Sequence, residues 1–310
     1  MANQAQQQQQ AQQPGNHLAL VKKDTVDVVA AKVRQFQERG EIVFPANYSP
    51  ENAMKSAWLA IQEAKDKADR PALEVCTKNS IANALLNMVV QGLTPAKKQG
   101  YFIVYGQELT FQRSYFGTMA VTKMLTGAED IVAQVVYEGD SFEYEIDARG
   151  RKHLKSHVQK LGNIDNAKIQ AAYCNIIWPD GRTFMDVMTF DQIKAAWKQS
   201  KMKPVNDNGD LKAGSMHQKF TTDMAIKTVV NRACKYYLNT SDDSGLILEH
   251  FRATDEAAEA AVIEEEITTQ ANGEIIDVDP LTGEIGPTPE EQPAAEVVDE
   301  APQAAAGPGF

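Results

Sequence analysis

Between Asp255 and Phe310 there is no lysine or arginine, although that stretch holds fifteen Asp and Glu residues. The formal net charge of −11 is therefore a property of one end, and residues 1–254 by themselves carry +4. A whole-chain average would argue against a polyanionic partner, whereas the mildly basic body admits one. Cysteine is scarce too. Cys76, Cys174 and Cys234 lie far apart in apolar runs, an odd number without paired spacing. That excludes a disulfide framework and a zinc site of ordinary spacing, and it points to a reducing compartment. No apolar run reaches the roughly 18 residues of a membrane span. The opening MANQAQQQQQAQQPG has neither the basic nor the apolar part of a signal peptide. A cytoplasmic protein with no membrane partner is the expectation. The patterns GxxxxGK(S/T), HExxH and GxSxG are also missing, which removes P-loop ATP chemistry, helix-borne zinc hydrolysis and the serine-hydrolase elbow.

What the chain does have is apolar material for a core, 43% of residues, and one unusual block, Gln91–Met124. There Lys97, Lys98, Arg113 and Lys123 stand among Tyr101, Phe102, Tyr105, Phe111, Tyr115 and Phe116, with Glu108 the single acid. Cations beside flat apolar faces suit a nucleic-acid strand, because phosphates take the cations and bases take the rings. A half-buried hairpin with its aromatics in the core accounts for the same residues, and on chemistry alone both readings stand open.

Residues 1–17 form a Gln-rich tail, 18–250 the folded body, and 251–310 an acidic, largely disordered tail with a helical extension over Ala257–Ile263. Apolar spacing predicts a helix over Asp24–Arg39 stopped by Gly40, a second from Ser49-Pro50-Glu51, and a third from Thr77 to Gly92. The period then falls to two. Tyr101–Tyr105 and Glu108–Arg113 read as a hairpin, followed by a helix over Tyr115–Leu125. Strands follow at Ile131–Tyr137 and Phe142–Ile146, and a hairpin at Lys168–Trp178 and Thr183–Met188. Thr189 with Gln192, and Ser215 with Gln218, have the spacing of a capping box, and Ser215–Leu238 reads as the longest helix. The class is α+β, with five or six antiparallel strands in a small central sheet flanked by helices.

On that last helix Ile226, Val229, Val230, Ala233 and Tyr237 form the expected buried stripe. Lys227, Asn231 and Lys235 recur every fourth residue on the opposite side, flanked by Arg232 and Thr228, with no acid from Lys227 to Lys235 and with Lys219 before them. Such a row tracks a phosphate backbone or is simply a solvated face. A second basic cluster, Arg149, Arg151, Lys152, Lys155 and Lys160 with His153 and His157, reads as a mobile surface loop, as a basic loop that closes over nucleic acid, or as both. A third, Lys194, Lys198, Lys201 and Lys203, surrounds Trp197, which reads as core. Pro179-Asp180 followed by Asp186-Val187-Met188 resembles a metal-nuclease pattern, but Met188 stands where such a nuclease needs lysine. The alternating Asp140, Glu143, Glu145 and Asp147 read as a solvent face.

Five stretches occur together in one order: QGLTPAKKQGYFIVYG, LTFQRSYFGTMAVTKMLTG, VVYEGDSFEYE, FMDVMTFDQIKAAW and DMAIKTVVNRACKYY. Over roughly residues 45–240 the chain resembles the RecT family of phage and prophage single-strand annealing proteins. The resemblance implies an ATP-independent recombinase of a bacterial host cell, with no bond-making chemistry and no cofactor. It implies a RecT-like fold that assembles into a homo-oligomeric ring or helical filament. The implied partners are single-stranded DNA, the annealed duplex, a 5′→3′ exonuclease and the host's single-strand-binding protein. It places Gln112, Arg113 and Tyr115 near the strands, and Lys219, Lys227 and Arg232 towards the backbone. Lys97, Lys98, Lys123, Lys201 and Asn231 complete the candidate contacts. Ile226 and Phe116 stand where many relatives carry a basic residue. A passive single-strand-binding protein remains the alternative. The acidic tail ends Gly-Pro-Gly-Phe310; it reads as a solubilising tail or as a mimic of DNA.

Overall fold

A computed structural model describes residues 23–200, 203–240 and 245–256. The chain divides between Glu265 and Glu266 into two units, and every described residue belongs to the first. Ala257–Ile263, the acidic tail beyond 256 and the Gln-rich start lie outside the described residues.

The helix starts predicted at Ser49 and Thr77 hold because each is capped, whereas Asp27 before the first helix makes no side-chain cap. A π-turn, Lys23–Asp27, leads into α1 (Val28–Glu38), which stops at Gly40 with φ of +72°. Ser49 Oγ accepts the Asn52 N–H at the head of α2 (Pro50–Glu63), where Pro50 needs no donor. After the single turn α3 (Ala72–Val75), Thr77 caps α4 (Lys78–Val90) in the same way through Ser80 N–H. These helices bury Val29, Val33, Trp58, Ile61, Ile81 and Leu85 against the hairpin β1 (Gly100–Tyr105) and β2 (Glu108–Arg113). Helix α5 (Tyr115–Thr126), capped by Ser114, follows the hairpin directly. Gly117 permits the close approach, since a Cβ there would overlap the Gln99 carbonyl oxygen and the Arg113 side chain.

A second core lies behind three antiparallel strands in the order β3 (Asp130–Tyr137), β6 (Ile169–Ile177) and β7 (Thr183–Thr189). Along β6, Ala172, Cys174 and Ile176 face α6 (Phe190–Gln199) and α8 (Thr221–Asn239), while Tyr173 faces the other way. Burial on both faces makes β6 the central strand. The far face is covered by a separate hairpin, β4 (Ser141–Ile146) and β5 (Lys152–Val158), through Phe142 and Leu154.

The fold is α+β with small antiparallel sheets between helices, but it departs from expectation in three places. Seven strands among the described residues form three sheets rather than one central group. Lys152–Val158 is a strand, not a loop: its Lys, His and Ser side chains hide the alternation that would have marked it. The Ser215 helix breaks at Phe220 (φ −128°, ψ 51°), leaving the short α7 (Met216–Lys219) before α8. At the break Thr221 Oγ1 donates to the Gln218 carbonyl. Of the two capping boxes, the Thr189–Gln192 pair is complete. At Ser215 only half forms, because Gln218 Oε1 takes the Gly214 N–H instead. All three cysteines are free and buried, and burial raises each thiol pKa, so none is a ready nucleophile.

The β4–β5 hairpin is pinned by Asp140 rather than held as a plain solvent face. Burial favours the protonated acid. Hydrogen bonds from Gln159, the Tyr137 N–H, Asn163 and His157 outweigh that and hold the carboxyl down to about 2. His157 also meets the Tyr173 hydroxyl at 3.2 Å. A depressed folded pKa stabilises above the unfolded value of about 3.9 and is lost as pH falls from there towards 2. Hairpin protection from hydrogen exchange is expected to fall across that acid window, and Asp140→Asn is expected to flatten this part of the pH dependence. An unchanged acid profile in the variant would contradict the assignment.

Candidate nucleic-acid interface

The pleat sorts the residues of the Gln91–Met124 block. In β1–β2, Phe102 pairs with Phe111 and Val104 with Leu109 on the buried face, while Tyr101 pairs with Gln112 on the outer face. The aromatics thus divide. Phe102 and Phe111 are core, Tyr101 is 54% exposed, and Phe116 is 45% exposed with its ring 4.1 Å from that of Tyr115. Burial, followed by the charge of Asp223, raises the pKa of the Tyr115 hydroxyl. Gln112 donates to the Tyr105 hydroxyl at 2.6 Å.

Arg113 is in phase with Phe111 and Leu109, so it points inward, away from Gln112. Its side chain is 1% exposed. The guanidinium donates to Gln91 Oε1 (2.7 Å), Thr118 Oγ1 (3.3 Å), the Phe251 carbonyl (3.2 Å) and Asp255 Oδ1 (2.7 Å), and it lies 3.5 Å over the Phe251 ring. Burial pushes its pKa down to about 10, with Asp255 opposing the shift, so it stays charged at neutral pH. Arg113 therefore has no donor facing solvent. It anchors a helical segment, 246–256, that continues the body past the expected boundary at 250 and buries Leu248 and Phe251.

Other candidates do come together. The 3-10 turn Pro95–Lys97 ends at Lys98, whose φ of +54° turns the chain back towards α5, and Ser114 Oγ donates to the Lys98 carbonyl at 2.6 Å. This places Lys97, Lys98 and Lys123 with Phe116 and Met119 around an open groove of about 430 Å³. Lys97 and Lys123 also line an adjoining hollow of about 330 Å³. Lys97 and Lys98 are exposed and form no ion pair among the described residues; Lys123 lies 3.7 Å from Asp130.

The helical row does not survive as an uncompensated stripe. Lys227 and Arg232 are five residues apart, so they project about 140° from one another. Lys227 is exposed, and its charge, after burial, lowers the pKa of His217. Asn231 is half-buried. Lys235 meets Asp255 at 2.7 Å, and Arg232 grips Asp186 with two bonds of 2.7 and 2.6 Å. The acids that Lys227–Lys235 lacks arrive from other elements, while Asp223 stands exposed in the first turn of α8 itself. Lys219 is exposed on α7, before the break. Lys201 lies outside the described residues. Of its neighbours, Lys194 pairs with Asp191 and Lys198 with Asp207, while Trp197 is core, donating to Thr228 Oγ1.

Arg232 also lines a cleft of about 740 Å³ that includes Arg149, Arg151, Lys152, Arg182 and Tyr236. Sequence reading singled out neither Arg182 nor Phe184 nor Tyr236; the four-residue spacing of Arg232 and Tyr236 was the available signal. The nuclease-like carboxylates are both paired, Asp180 with Arg182 and Asp186 with Arg232. No group of three metal-type ligands occurs among the described residues. Nor is any described helix long and apolar enough to cross a membrane.

Unpaired cations beside exposed rings on an α+β scaffold are the features of a nucleic-acid-binding surface. A sequence model of the RecT family matches residues 51–272, most of the chain, and the protein belongs to that family. No curated protein matches the chain. Membership carries DNA binding and single-strand annealing in recombination, activities of annealing proteins rather than of conventional enzymes.

Proposed function

We propose that this protein binds single-stranded DNA and anneals complementary strands without ATP, as a homo-oligomeric ring or filament. In this reading it works beside a 5′→3′ exonuclease that exposes the strand and a host single-strand-binding protein, in the cytoplasm of a bacterial host. The observation that carries the reading is the groove of Lys97, Lys98 and Lys123 with Phe116. Ammonium groups contact phosphates without reading base edges, which keeps binding independent of sequence. An exposed ring accepts any base, since every base has a flat face. Annealing then needs only that one strand be held extended, its charge reduced and its bases within reach of a partner. The chain has no P-loop sequence, which agrees with an ATP-independent reaction. Lys219 and Lys227 are further backbone contacts in this proposal, with Gln112 and Tyr115 beside the strand.

Titration of a labelled oligonucleotide, followed by anisotropy at several salt concentrations, tests the site. Phe116→Ala is expected to weaken binding by about 1–3 kcal/mol at unchanged melting temperature, the worth of one stacked base. Wild-type affinity in the folded variant would remove Phe116 from the site.

A further inference from the structure

The cleft at the C-terminal end of α8 shares no lining residue with the Lys97–Lys123 groove. Three elements wall it. The β4–β5 turn supplies Arg149, Arg151 and Lys152; the β6–β7 turn and start of β7 supply Arg182 and Phe184; and α8 supplies Arg232 and Tyr236. Asp186 is the one carboxylate among the lining residues, and it is engaged by Arg232. Arg182 pairs with Asp180. Arg149, Arg151 and Lys152 form no ion pair among the described residues. Asp147, the acid beside them, accepts the backbone N–H groups of Arg149 and Arg151 and the His153 ring, so it shapes their turn.

The same cleft is lined by a flat surface. The rings of Phe184 and Tyr236 stack at 5.6 Å with 10° between planes, and Tyr237 braces Phe184 edge-on. Tyr236 remains 60% exposed, so its ring is supported from behind and open to solvent. At about 740 Å³ the cleft falls in the size range of ligand pockets. Free cations in one cleft with a braced, uncovered ring suit a phosphodiester chain with an unstacked base.

We propose that this cleft is a second single-strand site. It holds a segment of the incoming DNA strand, with phosphates on Arg149, Arg151 and Lys152 and a base stacked on Tyr236, while the first strand occupies the Lys97–Lys123 groove. The inference rests on the annealing function proposed above. It gives the two strands separate places on one subunit.

The full-length protein tests it with two complementary oligonucleotides added in turn. The variant Arg149→Ala/Arg151→Ala/Tyr236→Ala changes only exposed side chains. It is expected to bind the first oligonucleotide within about twofold of wild type and to pair the second at least tenfold more slowly. Tyr236→Phe, which keeps the ring, is expected to pair at the wild-type rate. Wild-type pairing by the triple variant overturns the second site while leaving the annealing reading intact. Loss of first-strand binding in the folded variant also overturns it, because the two sites would then be one. Absence of any strand binding by the wild-type chain sinks the functional reading, and the cleft with it.

Discussion

Arg113→Ala is expected to destabilise the protein by about 3–5 kcal/mol, the range for removing one member of a buried ion pair. The loss has several parts. Gln91 Oε1 and the Phe251 carbonyl lose their donor, the Phe251 ring loses the group stacked on it, and a space opens between hairpin and C-terminal segment. Asp255 keeps Lys235, which places the cost at the lower end of the range. Arg113→Lys is not a rescue, since an ammonium cannot present a planar fork to Gln91, Thr118 and Asp255 at once. Chemical denaturation measures the loss, and hydrogen exchange over 246–256 locates it. An unchanged melt combined with weakened DNA binding would instead put Arg113 on the strand.

The second large effect belongs to the groove. Lys97→Ala/Lys98→Ala/Lys123→Ala is expected to lower single-strand affinity about tenfold or more at physiological salt, evenly across oligonucleotide sequences. Each phosphate contact on a single strand contributes about 0.7 to the slope of log affinity against log salt, so losing three flattens that slope by about 2. Lys97 and Lys98 are exposed, and Lys123 has only a distant acid, so the melting temperature is expected to hold. A preserved slope would show that these lysines meet no phosphate.

Local signals carried most of the fold. Ser49, Thr77 and Thr189 each cap the helix that their side-chain chemistry announced. The hairpin at Gly106-Gln107 was legible from alternation alone. That same alternation contained the information that Arg113 faces inward, because it follows Leu109 and Phe111 by steps of two. The resemblance sets Gln112 and Arg113 together near the strands, whereas the pleat sends them to opposite faces. The rest depends on contacts distant in sequence. Nothing in DMAIKTVVNRACKYY reveals that Asp186 and Asp255 neutralise Arg232 and Lys235, and nothing local to Arg149 reveals that a stacked Phe184–Tyr236 pair lines the same cleft. Lys152–Val158 hides for a different reason: its inward residues, Leu154 and His157, are three apart across a bulge, so no apolar period of two is left to read.

The central claim is that this chain speeds pairing rather than merely coating a strand. Donor- and acceptor-labelled complementary oligonucleotides, mixed with the purified full-length protein in nucleotide-free buffer, measure it directly by energy transfer. Pairing well above the spontaneous rate, unchanged by added ATP, is the predicted result. Strand binding with no acceleration, or acceleration that appears only with ATP, would contradict the account.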